Sequence, residues 1–164
     1  MRQHLMTRRQ LHGLLNARPT LGGLMELCEG NYRLLNRLVP DMTTVRGSQI
    51  SRRQGSPALH LDVLEQARHT SLLRLTYHFD SAEPAGHDPD MRLRVYHDAR
   101  QVEVESLHQT ALPLDRLYQH PALDQKWRAN QFLSRWLSFC LMQGHAFRGA
   151  PRPSNIRAKP LVAA

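Results

Sequence analysis

The sequence predicts an α+β domain: a four-stranded antiparallel meander, made of two hairpins, between an N-terminal and a C-terminal amphipathic helix. Apolar residues recur at helical spacing near both ends of the central region, and they alternate with polar residues over four short segments between those ends. Stretches rich in proline and glycine separate the segments. With 164 residues, 41% of them hydrophobic, the chain has the size of one domain with its own core.

The first helix is predicted from Leu24 to Leu38. A stripe of apolar residues recurs on one of its faces, as expected for a helix that packs against a core: Leu24, Cys28, Leu35 and Leu38. Pro40 ends this helix, because proline has no N–H to donate and its ring clashes with the preceding turn. Residues 41–57 follow as a polar connection, in which a short edge strand near Gln49–Arg53 is left open.

Alternating apolar and polar residues predict the four strands of the meander. The first hairpin joins residues 59–64 to residues 73–79 through a turn near Ala67–Thr70. The second hairpin joins residues 92–96 to residues 101–105 through a tight turn at Asp98–Ala99. Between the hairpins, residues 80–90 are predicted to be a loop, because they contain two prolines and a glycine.

The last helix is predicted from about Leu123 to Gln143, after a linker over residues 107–121. Gly144 is suited to the position that follows a helix. Three prolines beyond it exclude a further helix, so residues 146–164 are predicted to be a disordered tail rich in proline and arginine. The single domain is therefore expected to span residues 24–145.

The net charge of +8 comes from the two ends of the chain. Residues 1–23, a basic extension in which a short helix over residues 4–17 is expected, carry four arginines and no acidic residue. The last twenty residues carry three arginines and one lysine without an acidic residue, which leaves residues 24–144 formally neutral. Arginine binds phosphate through a bidentate fork, but a genome rich in arginine codons would give the same composition.

A cytoplasmic protein with no membrane association is expected. The longest apolar runs are much shorter than the ~20 residues that cross a bilayer. Only Leu14–Leu15 follows the first arginines as apolar sequence, which is too short for the apolar region of a secretory signal. Two cysteines cannot form a disulfide framework, so a reducing compartment is the simplest interpretation.

Three stretches of the sequence together resemble a known family. Residues 27–31 read L-C-E-x-N, residues 94–99 read R-V-Y-H-D-A, and residues 130–141 read N-Q-F-L-x-x-W-L-x-x-C-L. In this order and spacing they resemble the YqiB-like family of small proteobacterial proteins, a domain of unknown function, over about residues 24–145. The resemblance implies a bacterial cytoplasmic protein, and it brings no established activity, cofactor or catalytic residue.

The polar face of the predicted sheet carries the main candidate binding residues. Arg92, Arg94 and Tyr96 are expected on one strand, opposite Glu103 and Glu105 on the next. One interpretation is a solvated face whose ion pairs each contribute little. The other is a groove in which the arginines bind a phosphate or carboxylate and Tyr96 stacks on a base.

The two hairpin turns supply the remaining candidates. His97 and Asp98 have the chemistry of a general base and its orienting carboxylate, but neighbours on a strand point to opposite faces, and Asp98 also suits a turn. Glu65 and Arg68 flank the first turn, where they form either a local ion pair or a recognition loop.

No cofactor or metal is expected. The chain has ten histidines, but none lies in a metal-ligand pattern such as HExxH or CxxC. His60 and His78 are placed to meet across the first hairpin with Asp62 nearby, which is a weak indication of a metal site.

These observations favour a non-enzymatic protein-interaction or regulatory module that binds a protein partner or a second copy of itself. The first alternative is a protein that binds nucleic acid or nucleotide phosphates through arginines of the sheet and the ends. The second alternative is an enzyme that acts on a small phosphorylated metabolite, with His97, Asp98, Glu103 or the arginine pair in its pocket.

Overall fold

A computed structural model describes residues 19–80, 86–109 and 123–148. Its elements, in chain order, are α1 (Leu21–Leu38), β1 (Ser48–Ser51), β2 (Ala58–Gln66), β3 (Thr70–Phe79), β4 (Gly86–Tyr96), β5 (Gln101–His108) and α2 (Leu123–Met142). The strands form one antiparallel sheet in the order β1-β2-β3-β4-β5. The predicted α+β class is confirmed, whereas the expected helix over residues 4–17 lies outside the described residues.

The prediction of four strands is wrong, because the described sheet has five. The additional strand is β1, which lies where the sequence left an edge strand open. It pairs with β2 from Ser48 opposite Asp62 to Ser51 opposite Leu59. With only four residues, three of them polar, β1 has too short an alternation of apolar and polar residues to be recognised from the sequence.

The loop predicted over residues 80–90 is also too long. Residues 86–90 belong to β4, where Gly86 pairs with Phe79 and His87 pairs with His78. The register of β3 and β4 shifts between Thr76 and His78. Pro89 lies at this irregularity, where a residue without an N–H is tolerated within a strand.

Both helices pack on one face of the sheet. In-register rows of apolar side chains cross that face, among them Leu73, Leu93 and Val104, and they form a single buried cluster with Leu35 of α1 and Leu137 of α2. The opposite face, which we call the open face, carries the outward-pointing residues His60, Asp62, Arg74, Arg92, Arg94 and Glu103. In the described part of the chain, no helix is long and apolar enough to cross a membrane.

The chain remains packed after α2. The backbone N–H of Phe147 donates to the carbonyl of Leu38 at 2.8 Å, and the Phe147 ring is buried in the main core. The preceding His145 is 2% exposed. The packed segment therefore continues past the boundary expected at residue 145, and the remainder of the predicted tail lies outside the described residues.

Two buried asparagines join the helices to the sheet. The Asn31 side-chain amide on α1 donates to the carbonyl of Asn130 on α2 at 3.0 Å. The Asn130 Oδ1 accepts from the backbone N–H of Val104 on β5 at 3.2 Å, and its Nδ2 donates to the Lys126 carbonyl. Both asparagines are fully buried, so these bonds form where water does not compete for them.

We expect Asn130→Ala to lower the free energy of unfolding by about 1–3 kcal/mol, because it leaves the buried N–H of Val104 without an acceptor. Urea denaturation measures the change. Gln125→Ala, at an exposed position of the same helix, is the control and should change stability by less than about 0.5 kcal/mol. Equal stability of the two variants would contradict the role given to Asn130.

A glycine pair at the start of α1 offers a second test. A Cβ atom on Gly23 would lie 2.9 Å from two ring carbons of the buried Trp127, whereas a Cβ on Gly22 would meet nothing within 4 Å. We therefore expect Gly23→Ala to destabilise the protein by about 1–3 kcal/mol through overpacking. Gly22→Ala should be neutral or stabilising by up to about 1 kcal/mol, since alanine favours the helix. Thermal unfolding of both variants checks the contrast.

Candidate functional site

The first row of ion pairs on the open face is centred on Arg74. Its Nε and Nη2 donate to the two carboxylate oxygens of Asp90, both at 2.8 Å. On the other side, its Nη1 lies 3.8 Å from Oδ2 of Asp62. Hydrogen bonding to Asp90 is the main cause that raises the pKa of Arg74. We call these three residues the Arg74 row; it links β2, β3 and β4.

The second row is centred on Arg94. Its Nη2 and Nε donate to Oε1 of Glu105 at 2.7 and 3.2 Å, and its Nη1 lies 3.8 Å from Oε2 of Glu65. Leu72 lies between Glu65 and Arg94 in the strand register. Although Leu72 points to the open face, it is only 5% exposed. The Arg94 row, Glu65–Arg94–Glu105, therefore lies over an apolar side chain.

The partner of Arg94 differs in part from the expected one. Glu103 does lie opposite Arg94 in the register, but its carboxylate accepts from Lys126 Nζ of α2 at 2.7 Å. Glu105 reaches Arg94 because a register shift leaves it between Val104, which pairs with Leu93, and Ser106, which pairs with Arg92. Such a bulge re-aims the side chain of the additional residue.

Arg92 and Tyr96 lie on the same strand as Arg94. Arg92 is exposed and faces Arg74 and Ser106 in the register, and no described carboxylate lies within 4 Å of its guanidinium. Tyr96 is half-buried and pairs with Thr70 and Gln101. The structure thus places Arg92, Arg94, Tyr96, Glu103 and Glu65 on one surface.

The structure separates His97 from this surface. Its Nε2 lies 2.8 Å from Oγ of the buried Ser71, whose neighbours on β3 place it on the helix-covered side. Asp98 Oδ1 accepts from the N–H of Ala99 at 2.9 Å, which is a local turn interaction. Arg68 lies exposed in the turn between β2 and β3. These residues lie at the ends of the strands and do not form a dyad.

Three histidine rings contact one another across neighbouring strands at the other end of the open face: His60 and His78 are stacked, and His78 and His87 meet edge to face. The ring centroids of His60 and His78 are 5.1 Å apart, and those of His78 and His87 are 4.8 Å apart. Sequence spacing indicated the first pair but missed His87, because it was placed in a loop. Among the described residues, no group of three or more His, Cys, Asp and Glu side chains could hold a metal ion.

A shallow depression adjoins these histidines and was not indicated by the sequence. It lies where the connection between β1 and β2 meets the end of β3, and Arg52, Arg53, Ser56 and His78 contribute to its wall. Behind it, His145 lies between two serines: its Nδ1 is 2.9 Å from Ser51 Oγ and its Nε2 is 2.9 Å from Ser56 Oγ. The sequence carries no signal for this group because its members are about ninety residues apart.

The lowered pKa values of three histidines predict that the stability of the protein depends on pH. Burial is the main cause that lowers the pKa of His60, His97 and His145, so folding favours their neutral forms. The unfolded chain binds more protons below its ordinary histidine pKa of about 6.5, and stability should therefore fall as the pH drops through that value. Urea unfolding between about pH 8 and pH 5.5 measures the slope.

The pH slope of the His145→Gln variant is compared with that of a matched control, His108→Gln. His145 is buried, whereas His108 on β5 is exposed. We expect the pH slope to decrease in the His145 variant, by at most about 1.4 kcal/mol per pH unit, and to stay unchanged in the His108 variant. An identical slope in all three proteins would refute the assignment to His145.

Comparisons with known proteins identify the family. Residues 34–146 match the family model described as "Protein of unknown function (DUF1249)". The chain is 32% identical over 136 residues to the "Uncharacterized protein YqiB" of Escherichia coli strain K12. The aligned region covers 77% of this chain and 91% of that protein. The counterpart in E. coli O157:H7 matches to the same extent. No solved structure matches the chain. The chain therefore belongs to the YqiB-like family of proteins of unknown function, DUF1249.

Proposed function

We propose that the protein is a cytoplasmic, non-enzymatic interaction module with a regulatory role, and that a partner protein with basic side chains docks on the open face. The observation that carries this proposal is the pair of ion rows described above. Each row holds one guanidinium between two carboxylates and so has a net charge of −1.

The rows are suited to protein recognition because two of their carboxylates, those of Asp90 and Glu105, are held by hydrogen bonds from the arginines. Because Arg74 and Arg94 hold these acidic side chains, the acidic side chains lose less rotamer entropy when a lysine or arginine of a partner binds to them. The side chains of Glu65 and Glu105 are still 67% and 39% exposed. Their outer oxygens are thus available to a basic group, while Arg92 offers a counter-charge for an acidic one.

The open face also has a suitable size. Five strands spaced about 4.8 Å apart, with about eight residues each at 3.3 Å per residue, give a surface of roughly 600 Å² before side-chain relief. A stable protein–protein interface buries about 800 Å² on each partner. One partner covering the open face and its rim would therefore suffice.

Nucleic-acid binding is less well supported on this surface. A phosphate group would have to displace Asp90 from Arg74 or Glu105 from Arg94, and each arginine donates two hydrogen bonds to that carboxylate. The net negative charge of the rows also repels a polyanion. The basic ends, which motivated this alternative, lie outside the described residues.

The enzymatic alternative loses three of its candidate residues. His97 contacts Ser71 on the helix-covered side, Asp98 caps a turn, and Glu103 pairs with Lys126. None of the three lines the depression at the opposite end of the sheet. Their placement therefore gives no common pocket for a phosphorylated substrate.

Affinity capture from lysate of the source bacterium tests the proposal. We expect the tagged full chain to retain a partner protein at about 0.15 M salt and to release it at about 1 M, where the Debye length falls to about 3 Å. The double variant Glu65→Gln/Glu105→Gln should lower retention about tenfold or more. Glu26→Gln, at an exposed position of α1, is the matched control and should bind like the wild type.

The purified partner and the purified protein should then reproduce this order of affinities in isothermal titration calorimetry. Retained proteins that do not differ between the double variant and Glu26→Gln would contradict docking on the open face. Tight RNA binding at physiological salt would also contradict this docking if the double variant bound RNA more strongly, because the open face would then be a binding site for polyanions. A monomer in sedimentation velocity that captures no protein would contradict the interaction module itself.

A further inference from the structure

The depression near β1 is open and shallow, and its volume falls in the range of small-molecule sites. Its volume is about 490 Å³, and its wall includes Arg52, Arg53, Ser56, His78, Phe79 and Asp80. Pockets for small ligands typically range from about 300 to 1,000 Å³. The depression is formed by the connection between β1 and β2 together with the end of β3, so it is distinct from the ion rows of the open face.

The two arginines of this depression are not neutralised as those of the open face are. Arg52 is exposed and has no carboxylate within 4 Å among the residues that the structure describes. The Nε of Arg53 donates to the carbonyl of Gly144 at 2.5 Å, which fixes the guanidinium without compensating its charge. The carboxylate on the wall, Asp80, lies 3.1 Å from His78 Nε2.

The uncompensated charge affects nearby histidines. After burial, the charge of Arg53 is the next cause that lowers the pKa of His145. The pKa of His60 is lowered chiefly by burial and by His78, with a smaller contribution from Arg52. Positive charge therefore dominates this corner of the molecule, and an anion bound there would relieve it.

We propose that the depression binds a small molecule carrying a phosphate group, held by Arg52 and Arg53 and by the hydroxyl of Ser56. Arginine presents paired N–H donors whose geometry matches phosphate oxygens. Two such groups on consecutive residues, one of them already fixed by Gly144, supply charge and orientation together.

Ser56 is held in place from inside the protein. Its Oγ lies 2.9 Å from Nε2 of the buried His145, and Nδ1 of that ring lies 2.9 Å from Ser51 Oγ. In the tautomer with the proton on Nε2, Ser56 Oγ accepts from the ring, and its own hydroxyl proton, which is directed at the Pro57 carbonyl 3.4 Å away, can turn to a phosphate oxygen instead. His145 is thus a positioning residue for this hydroxyl.

The remaining wall indicates an organic ligand. Pro57, Ala58 and Phe79 contribute apolar surface, and Phe79 is 36% exposed. A lone phosphate ion would leave this surface and most of the volume unused. The chemistry of the site therefore fits a phosphate monoester with an apolar or planar group better than inorganic phosphate.

Titration calorimetry on the full chain tests this site with three probes: phenyl phosphate, inorganic phosphate and phenol. We expect phenyl phosphate to bind most tightly, inorganic phosphate at least threefold more weakly, and phenol not at all. Arg52→Gln should weaken binding of phenyl phosphate at least tenfold, as should Arg53→Gln. Ser56→Ala should weaken it about tenfold or more, since one hydrogen bond to a charged group is lost.

Arg100→Gln is the matched control, because Arg100 is exposed in the turn between β4 and β5, at the opposite end of the strands. It should bind phenyl phosphate like the wild type. Because Arg53 also bonds Gly144, thermal unfolding should verify that its variant is folded, and Arg52→Gln provides an independent test without a described bond to lose. In amide NMR spectra, the shifts caused by phenyl phosphate should concentrate at residues 52–58 and 78–80.

Three results would overturn the proposal. The first is no binding of phenyl phosphate at millimolar concentration, and the second is unchanged affinity in Arg52→Gln. The third is an equal loss in Arg100→Gln, which would show that only the overall charge attracts the probe. None of these results bears on the open face, because Glu65 and Glu105 do not line the depression.

Discussion

The fully buried Asn130 connects the helix layer to the edge of the sheet, and the arrangement of the other elements depends on it. Its carbonyl accepts from Asn31 on α1, and its side chain accepts from the N–H of Val104 on β5. An edge strand otherwise presents unpaired backbone groups that attract further strands. Here part of the β5 edge is satisfied by α2, and α2 in turn fixes α1. Both helices are thus held against the same side of the sheet, and the open face stays without a helix.

The protein uses arginine in two physically different ways. Arg74 and Arg94 are each held by two carboxylates, so their charge serves to join strands and, at Leu72, to shield an apolar side chain from water. Arg52 and Arg53 are left without a described carboxylate partner. The first arrangement leaves a surface with excess negative charge, and the second leaves a positively charged depression. Composition alone cannot distinguish them, because every arginine adds the same formal charge.

The sequence predicted those parts of the molecule that local periodicity determines. The two helices, both hairpin turns and the outward orientation of Arg92, Arg94 and Glu103 follow from spacings of 3.6 and 2 residues. The family was likewise recognisable from three short motifs. In contrast, β1 was left open as an edge strand because four residues are too few to show a period, and the start of β4 was hidden by Pro89. Contacts such as His145 with Ser51 depend on tertiary packing between distant segments, which no local pattern reports.

The Arg94 row of the open face depends on two irregularities in the strands that a strict period of two does not predict in full. In a regular β2 strand, Glu65 would point to the same side as Leu61 and Val63, which face the core. The register shift after Val63 instead pairs it with Leu72 on the open face and leaves Leu64 exposed. On β5, a second shift frees Glu105 to reach Arg94 and turns Leu107 towards Met91 and the core. A backbone bulge therefore brings Glu65 to the open face, whereas Glu105, which the period of two already placed there, is only re-aimed by its bulge. The same bulges adjust the packing of the apolar face, so the charge pattern outside and the core inside cannot vary independently of each other.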